Sequence, residues 1–170
     1  NTKNIQNRKG KSFGYQVLGF GAGGSAFDGI VATGGTITET GDFRIHTFTG
    51  PGTFTVCAAA GDADNNKVDY LVIAGGGGAG AGAFGEGGGG GGAGGYRESP
   101  GTANGCYTVS PRGASPAAAI VVSAQGYPIV VGNGGAGAVQ TPPGPGGKGS
   151  CGNTSSGLGI SSASGGGGGG

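Results

Sequence analysis

The chain of 170 residues carries 49 glycines, against an average usage of roughly 7%, with neither Met nor Trp and a formal net charge of +1 from nine Lys and Arg against eight Asp and Glu. That near balance argues against nucleic-acid binding by phosphate neutralisation, and no run approaches the roughly 20 apolar residues of a transmembrane helix, so no membrane insertion is expected. With 34% apolar residues, many of them alanine, the chain can build one small core; a glycine-dense segment orders only where backbone hydrogen bonds or close backbone packing offset glycine's large loss of freedom.

Residues 1–24 open with NTKNIQNRKGK, where Lys3, Arg8, Lys9 and Lys11 read as a solvated basic tail or a docking arm, and continue into KSFGYQVLGFGAGG. There Phe13, Tyr15 and Val17 alternate, as do Leu18 and Phe20, but glycine interrupts too often for a self-standing strand. Apolar residues that cannot be buried locally are expected to be buried by a partner, so this stretch reads as an extended docking leader.

Residues 25–74 read as a conventional antiparallel β-domain. Short runs rich in Val, Ile, Thr, Phe and Tyr are bounded by GG, TGD, TGPG and AGDADNN, and no segment has helical periodicity with caps. The spacing predicts a small antiparallel sheet or β-sandwich and no substantial α-helix. His46 sits in a strand with no evident carboxylate or nucleophile partner, and Asp62, Asp64 and Asp69 read as a solvated turn. With no G-x-S-x-G elbow and one histidine, nothing resembles a catalytic set, so neither enzyme activity nor a cofactor is expected. Cys57, Cys106 and Cys151 form no CxxC, which speaks against a metal site; their odd count leaves a free thiol or an intermolecular bond, with a Cys106–Cys151 bridge left open.

From residue 75 to 170 glycine dominates, between modest β-like runs such as CYTVS, AAAIVVSA and YPIVVG. The entry, DYLVIAGGGGAG, looks like the start of a dinucleotide-binding unit, but no helix can follow: each glycine costs roughly 1 kcal/mol relative to alanine in a helix, and the glycine and alanine continue to Gly95. PPGPGGKG lacks the sustained three-residue period of collagen. A low-complexity linker and a bundle of extended, three-residues-per-turn glycine helices remain. The second is favoured, because such helices leave every N–H and C=O free to bond a neighbour wherever facing positions lack a Cβ. Ala79, Ala81, Ala83, Phe84, Glu86 and Ala93 then mark outward or boundary positions. The array is marginal alone and needs a flanking β-domain, or a trimer, to hold its register. Because the sequence ends inside a glycine run, the pattern is expected to continue past Gly170.

TGGTITETGDFRIHTFTGPGTFTV, VDYLVIAGGGGAG, GGGGGGAGGYRES, YPIVVGNGGAG and GSCGNTSSGLGISSASGGGGGG together resemble the glycine-rich domain of virion proteins of tailed, especially marine, bacteriophages, over about residues 33–170. The resemblance implies an IHTFT…GTFTV hairpin and a small β-domain joined to glycine helices of the polyglycine II type. It also implies a tail-fibre or adhesin role on the surface of the virion. Pro128 departs from the pattern and favours an edge strand.

The function expected on these grounds is a non-enzymatic phage appendage protein. Its leader (Phe13, Tyr15, Val17, Leu18, Phe20) docks on other virion proteins of tail or capsid, and its glycine-rich part, a homo-oligomer with a trimer considered, presents contacts to a host cell-surface receptor. Phe84, Glu86, Tyr96, Arg97 and Tyr107 are the candidate receptor contacts, with Tyr96 and Arg97 read first as residues that end the glycine run. The alternatives are a capsid decoration or head fibre, and an ice-binding or extracellular matrix protein.

Overall fold

In the computed structural model residues 29–41, 43–84, 86–99, 118–140 and 144–170 are described, so the leader and Tyr107 lie outside the described residues. Strands form where β-branched and aromatic residues cluster between turn signals. They are β1 (Val31–Thr33), β2 (Thr36–Thr40), β3 (Phe43–Thr47), β4 (Gly52–Ala58), β5 (Lys67–Val68), β6 (Leu71–Ile73), β7 (Tyr96–Glu98), β8 (Ile120–Val121), β9 (Gly126–Ile129), β10 (Ser155–Gly157) and β11 (Ile160–Ser162). The described residues hold no α-helix, only a 3-10 turn at Ala63–Asn65. The fold is mainly β: β1–β4–β9 make a three-stranded sheet, and β2–β3, β5–β8, β6–β7 and β10–β11 are two-stranded, all antiparallel.

The core sits on β4. Phe54 and Val56 point inward by the two-residue alternation of a strand and meet Ala32 and Val122, with Phe48, Val68, Ile120, Tyr127, Ile129 and Leu158 packed around them. Burying so few large side chains gives a core of modest size, as the composition requires. Pro128 lies opposite Thr53 on β9, and β9 is the outer strand of its sheet. That is the place where a residue without an N–H costs the ladder least. His46 is half-buried: Nδ1 donates to the Gly34 carbonyl at 2.8 Å, and its ring meets Phe54 edge-on, with centroids 5.0 Å apart and planes at 81°.

The expected pairing of IHTFT with GTFTV is not found. β3 pairs with β2 across the short TGD connection, which opens on Gly41 in the left-handed region (φ 57), while β4 has β1 on one side and β9 on the other. The more local turn captures β3, and β4 has no edge left for it. Strands before residue 74 also take partners from beyond it: β9 on β4, β8 on β5 and β7 on β6.

The acidic turn is built locally. Asn66 accepts from the Ala60 N–H at 2.7 Å and donates back to the Ala60 carbonyl at 3.0 Å, while Asp62 accepts from the Asp64 N–H at 2.9 Å. Lys67 donates to Asp64 at 2.8 Å, and that bond with its charge holds the exposed Asp64 carboxyl below the usual carboxylate range. Bonds to the Ser123 hydroxyl and backbone, and to Gln125, likewise hold the Tyr127 hydroxyl below the usual phenol range.

Candidate functional site

The glycine runs take no part in the named strands, yet they are ordered by backbone hydrogen bonds between segments far apart in sequence. Five runs take part: run 1 (74–82), run 2 (87–95), run 3 (132–139), run 4 (146–153) and run 5 (163–170). Run 1 bonds to all the others. Its N–H groups at Ala74, Gly77 and Gly80 donate to Gly95, Gly92 and Gly89 of run 2, at 2.8–2.9 Å. Those at Gly75, Gly78 and Ala81 donate to Asn153, Ser150 and Gly147 of run 4, at 2.8–3.0 Å. Its carbonyls at Gly76 and Ala79 accept from Gly135 and Ala138 of run 3, and those at Gly75 and Gly78 accept from Gly165 and Gly168 of run 5. Runs 2 and 5, 5 and 4, and 4 and 3 are bonded as well. Every one of these series advances by three residues.

The flanking strands set the register. The β6–β7 ladder pairs Ile73 with Tyr96, and the series then runs without a slip to 74 with 95, 77 with 92 and 80 with 89. The β10–β11 hairpin pairs Ser155 with Ser162, and the series continues to 152 with 165 and 149 with 168. The bridge between Val130 and Ser156 leads in the same way to 133 with 153 and 136 with 150. Short ladders of ordinary side chains thus fix the partners of segments that could otherwise slide.

The glycines of the array are required by space rather than by torsion. The described glycines with positive φ are Gly34, Gly35, Gly41 and Gly159, none of them in a run. A Cβ on Gly77 would be driven into the Gly166 carbonyl, on Gly78 into that of Ala136, on Gly135 into that of Ser150 and on Gly149 into that of Gly78, each well under the 3.0 Å that real Cβ atoms keep. Side chains return where a run faces outward. Asn133, Ala136 and Val139 on run 3, and Lys148 and Cys151 on run 4 with Thr154 just after it, recur every third residue and are all exposed. Ala79 and Ala93 are exposed in the same way, while Ala81 and Ala83 are half-buried where run 1 ends.

Run 1 turns into run 2 through a tight connection closed by the Glu86 N–H donating to the Ala83 carbonyl at 2.9 Å. Phe84 stands on it in the left-handed region (φ 50) and is 79% exposed. Val139, at the end of the parallel run 3, is 83% exposed. The end of the array remote from the sheets therefore carries apolar groups in water, with the exposed Glu86 beside Phe84.

A family model described as a glycine-rich domain matches residues 47–170, most of the chain. The chain belongs to the glycine-rich domain family. No curated protein and no solved structure matches it.

In this glycine-rich domain protein the expected contact residues fall at two ends. Phe84 and Glu86 are at the apex, whereas Tyr96 and Arg97 lie at the base on β7, opposite Ile73 and Val72. The Tyr96 hydroxyl donates to Glu98 Oε2; Glu98 is buried, and its Oε1 has no hydrogen-bond partner among the described residues. Beside it the Ser99 hydroxyl donates to Asp69 at 2.7 Å and accepts from the Tyr70 N–H at 3.0 Å, while the Ser155 hydroxyl accepts from the Gly132 N–H at 2.9 Å. The sequence reading missed this polar seam between ladders and glycine runs, and it missed Val139. The outward three-residue phase of run 3 was the available signal for Val139. Cys57 and Cys151 are free and exposed, while Cys106, the other member of the bridge left open by the sequence, lies outside the described residues. Among the described residues no cluster of His, Cys, Asp and Glu is arranged to hold a metal, and no helix is long and apolar enough to cross a membrane.

Proposed function

We propose that this chain is a non-enzymatic structural protein of a tailed-bacteriophage virion, a tail-fibre or adhesin component. Its leader docks on the particle, its β part acts as a spacer, and the apex of its glycine array is offered to a host-surface receptor. The observation that carries the reading is the set of backbone bonds recurring every third residue between five runs whose inward positions exclude a Cβ. That recurrence is what packed polyglycine II helices produce, since three residues make one turn and every N–H and C=O points to a neighbour. On this reading run 1 is the central helix. The β1–β4–β9 sheet and the β5–β8 pair, closing on Phe54, Val56 and Val122, form the small sandwich beneath it.

A scaffold of this kind is rigid along its length and carries only small or scattered side chains on its flanks, so recognition falls to its ends. Phe84, Val139 and Glu86 supply an apolar and acidic apex on connections free to vary without disturbing the array. Labelling the chain on purified particles and imaging them tests the assignment. A few copies at the tail tip support it, many copies over the head mean capsid decoration instead, and absence from the particle overturns both.

A further inference from the structure

Glycine is costly wherever nothing requires it, so glycines with room for a side chain call for a reason. On runs 3 and 4 the outward phase carries side chains throughout, whereas on runs 2 and 5 it carries only the methyls of Ala93 and Ala163, next to the strands, and is glycine from there to the apex. In run 2, a Cβ on Gly88, Gly91 or Gly94 would strike run 1, and one on Gly89 or Gly92 would come within 3.1 Å of run 5. The phase left over begins with Gly87 and Gly90. In run 5, Gly165 and Gly168 face runs 1 and 2, and Gly167 faces run 4, which leaves Gly166 and Gly169. A Cβ on any of these four would meet nothing within 4 Å, and none has positive φ. Runs 2 and 5 are bonded side by side, Gly89 to Gly169 at 2.8 Å and Gly92 to Gly166 at 2.7 Å, so the four share one side. Their N–H groups find no partner among the described residues.

We propose that this bare strip is a self-association face, on which run 2 of one copy packs against run 5 of a second. The inference rests on the hydrogen-bonded array and not on the virion assignment. A surface whose apical part is bare glycine with unspent N–H groups selects a partner that brings its own main chain to contact distance; a side chain larger than the methyls of Ala93 and Ala163 would hold the two backbones apart. Runs 2 and 5 hold only Gly, Ala and Ser, so no charge opposes contact. Within one copy the two runs already pair antiparallel through the Gly89 and Gly92 side of run 2, so main chains of these two sequences bond one another in that sense. A two-fold axis parallel to the runs sets each run 2 against the partner's run 5 in that same antiparallel sense, and does so twice. The strip is narrower than a standard interface of roughly 800 Å² per partner, so association is weak and depends on concentration.

The test is sedimentation of the full chain over a concentration series, comparing the wild type with Gly90→Leu/Gly166→Leu. The wild-type mass moves from one chain toward two as concentration rises. The variant stays at one chain, with an unfolding midpoint in dilute solution no lower than that of the wild type. A wild type that remains a single chain throughout, a three-chain species, or a variant that associates as well as the wild type overturns the proposal. Amide exchange of the wild type gives an independent reading should the variant fold poorly: slowing at Gly87, Gly90, Gly166 and Gly169 on concentration supports the face, and unchanged exchange there overturns it. A variant that unfolds while Gly91→Ala folds normally counts against the array itself, which separates that failure from failure of the face.

Discussion

Gly91 faces the carbonyl oxygen of Gly77 so closely that a Cβ built on it would lie well inside 3.0 Å of that oxygen. Neither backbone can retreat, because the Gly77 N–H is bonded to the Gly92 carbonyl at 2.8 Å and the Gly92 N–H to Gly166 at 2.7 Å. Gly91→Ala therefore separates runs 1 and 2. Overpacking of about 1–3 kcal/mol, with about 1 kcal/mol more for each hydrogen bond lost, lowers the unfolding midpoint in calorimetry. An unchanged midpoint would show that the runs are not packed main chain against main chain.

Gly87→Ala and Gly90→Ala carry the opposite sign. Each added methyl meets open space and each backbone has negative φ, so the native state bears no strain while the unfolded chain loses freedom. Each change should stabilise the dilute protein by about 0.4–1 kcal/mol in thermal unfolding. In a uniformly disordered glycine tract, positions 90 and 91 would respond alike; here they differ in direction.

Gly159 tests how the register is set. It follows Leu158 in the turn of the β10–β11 hairpin, with φ 78 after φ 54, the pair of positive values that a tight hairpin turn of this hand requires. A Cβ on Gly159 meets nothing, so the cost of Gly159→Ala is torsional, about 1–2 kcal/mol. Because the ladder of this hairpin leads directly into the bonds between runs 4 and 5, amide exchange should quicken at Gly149 and Gly152 as well as in the hairpin. Loss confined to Ser155–Gly157 and Ile160–Ser162 would mean that the array keeps its own register.

What could be read from the sequence was whatever a single residue type decides locally. Pro128 foretold an edge strand because it lacks an N–H, TGD foretold a turn, and the glycine runs foretold close main chains because their lack of Cβ has few other uses. The mismatch between IHTFT and GTFTV arose because pairing is a competition, and two plausible partners for β4 lay far along the chain, at 31–33 and 126–129. The burial of Glu98 and Ser155 is not decided by their neighbours in the chain, since it follows from how ladders and runs stack. Within GGGGGG from 87 to 92, the letters are identical while the structure gives them three different surroundings. Only the three-residue phase, fixed from the flanking ladders, separates them.

Tyr96 can be assigned by separating stability from recognition. Its hydroxyl donates to Glu98 Oε2, the Oε1 of that buried carboxyl has no partner among the described residues, and its backbone pairs with Ile73 where the ladder passes into the array. Tyr96→Phe removes this donor, and an under-bonded buried carboxylate costs about 1–3 kcal/mol. The unfolding midpoint should fall, and Tyr96→Phe/Glu98→Gln should recover part of the loss, because a neutral amide in that seam needs less compensation than a charge. On the proposed virion role, attachment of the particle to its host, measured below the unfolding transition, should be unchanged in Tyr96→Phe and reduced in Phe84→Ala, whose side chain stands in water at the apex. The reverse pattern, weakened attachment with an unchanged midpoint in Tyr96→Phe, would move the recognition surface from the apex of the array to its base.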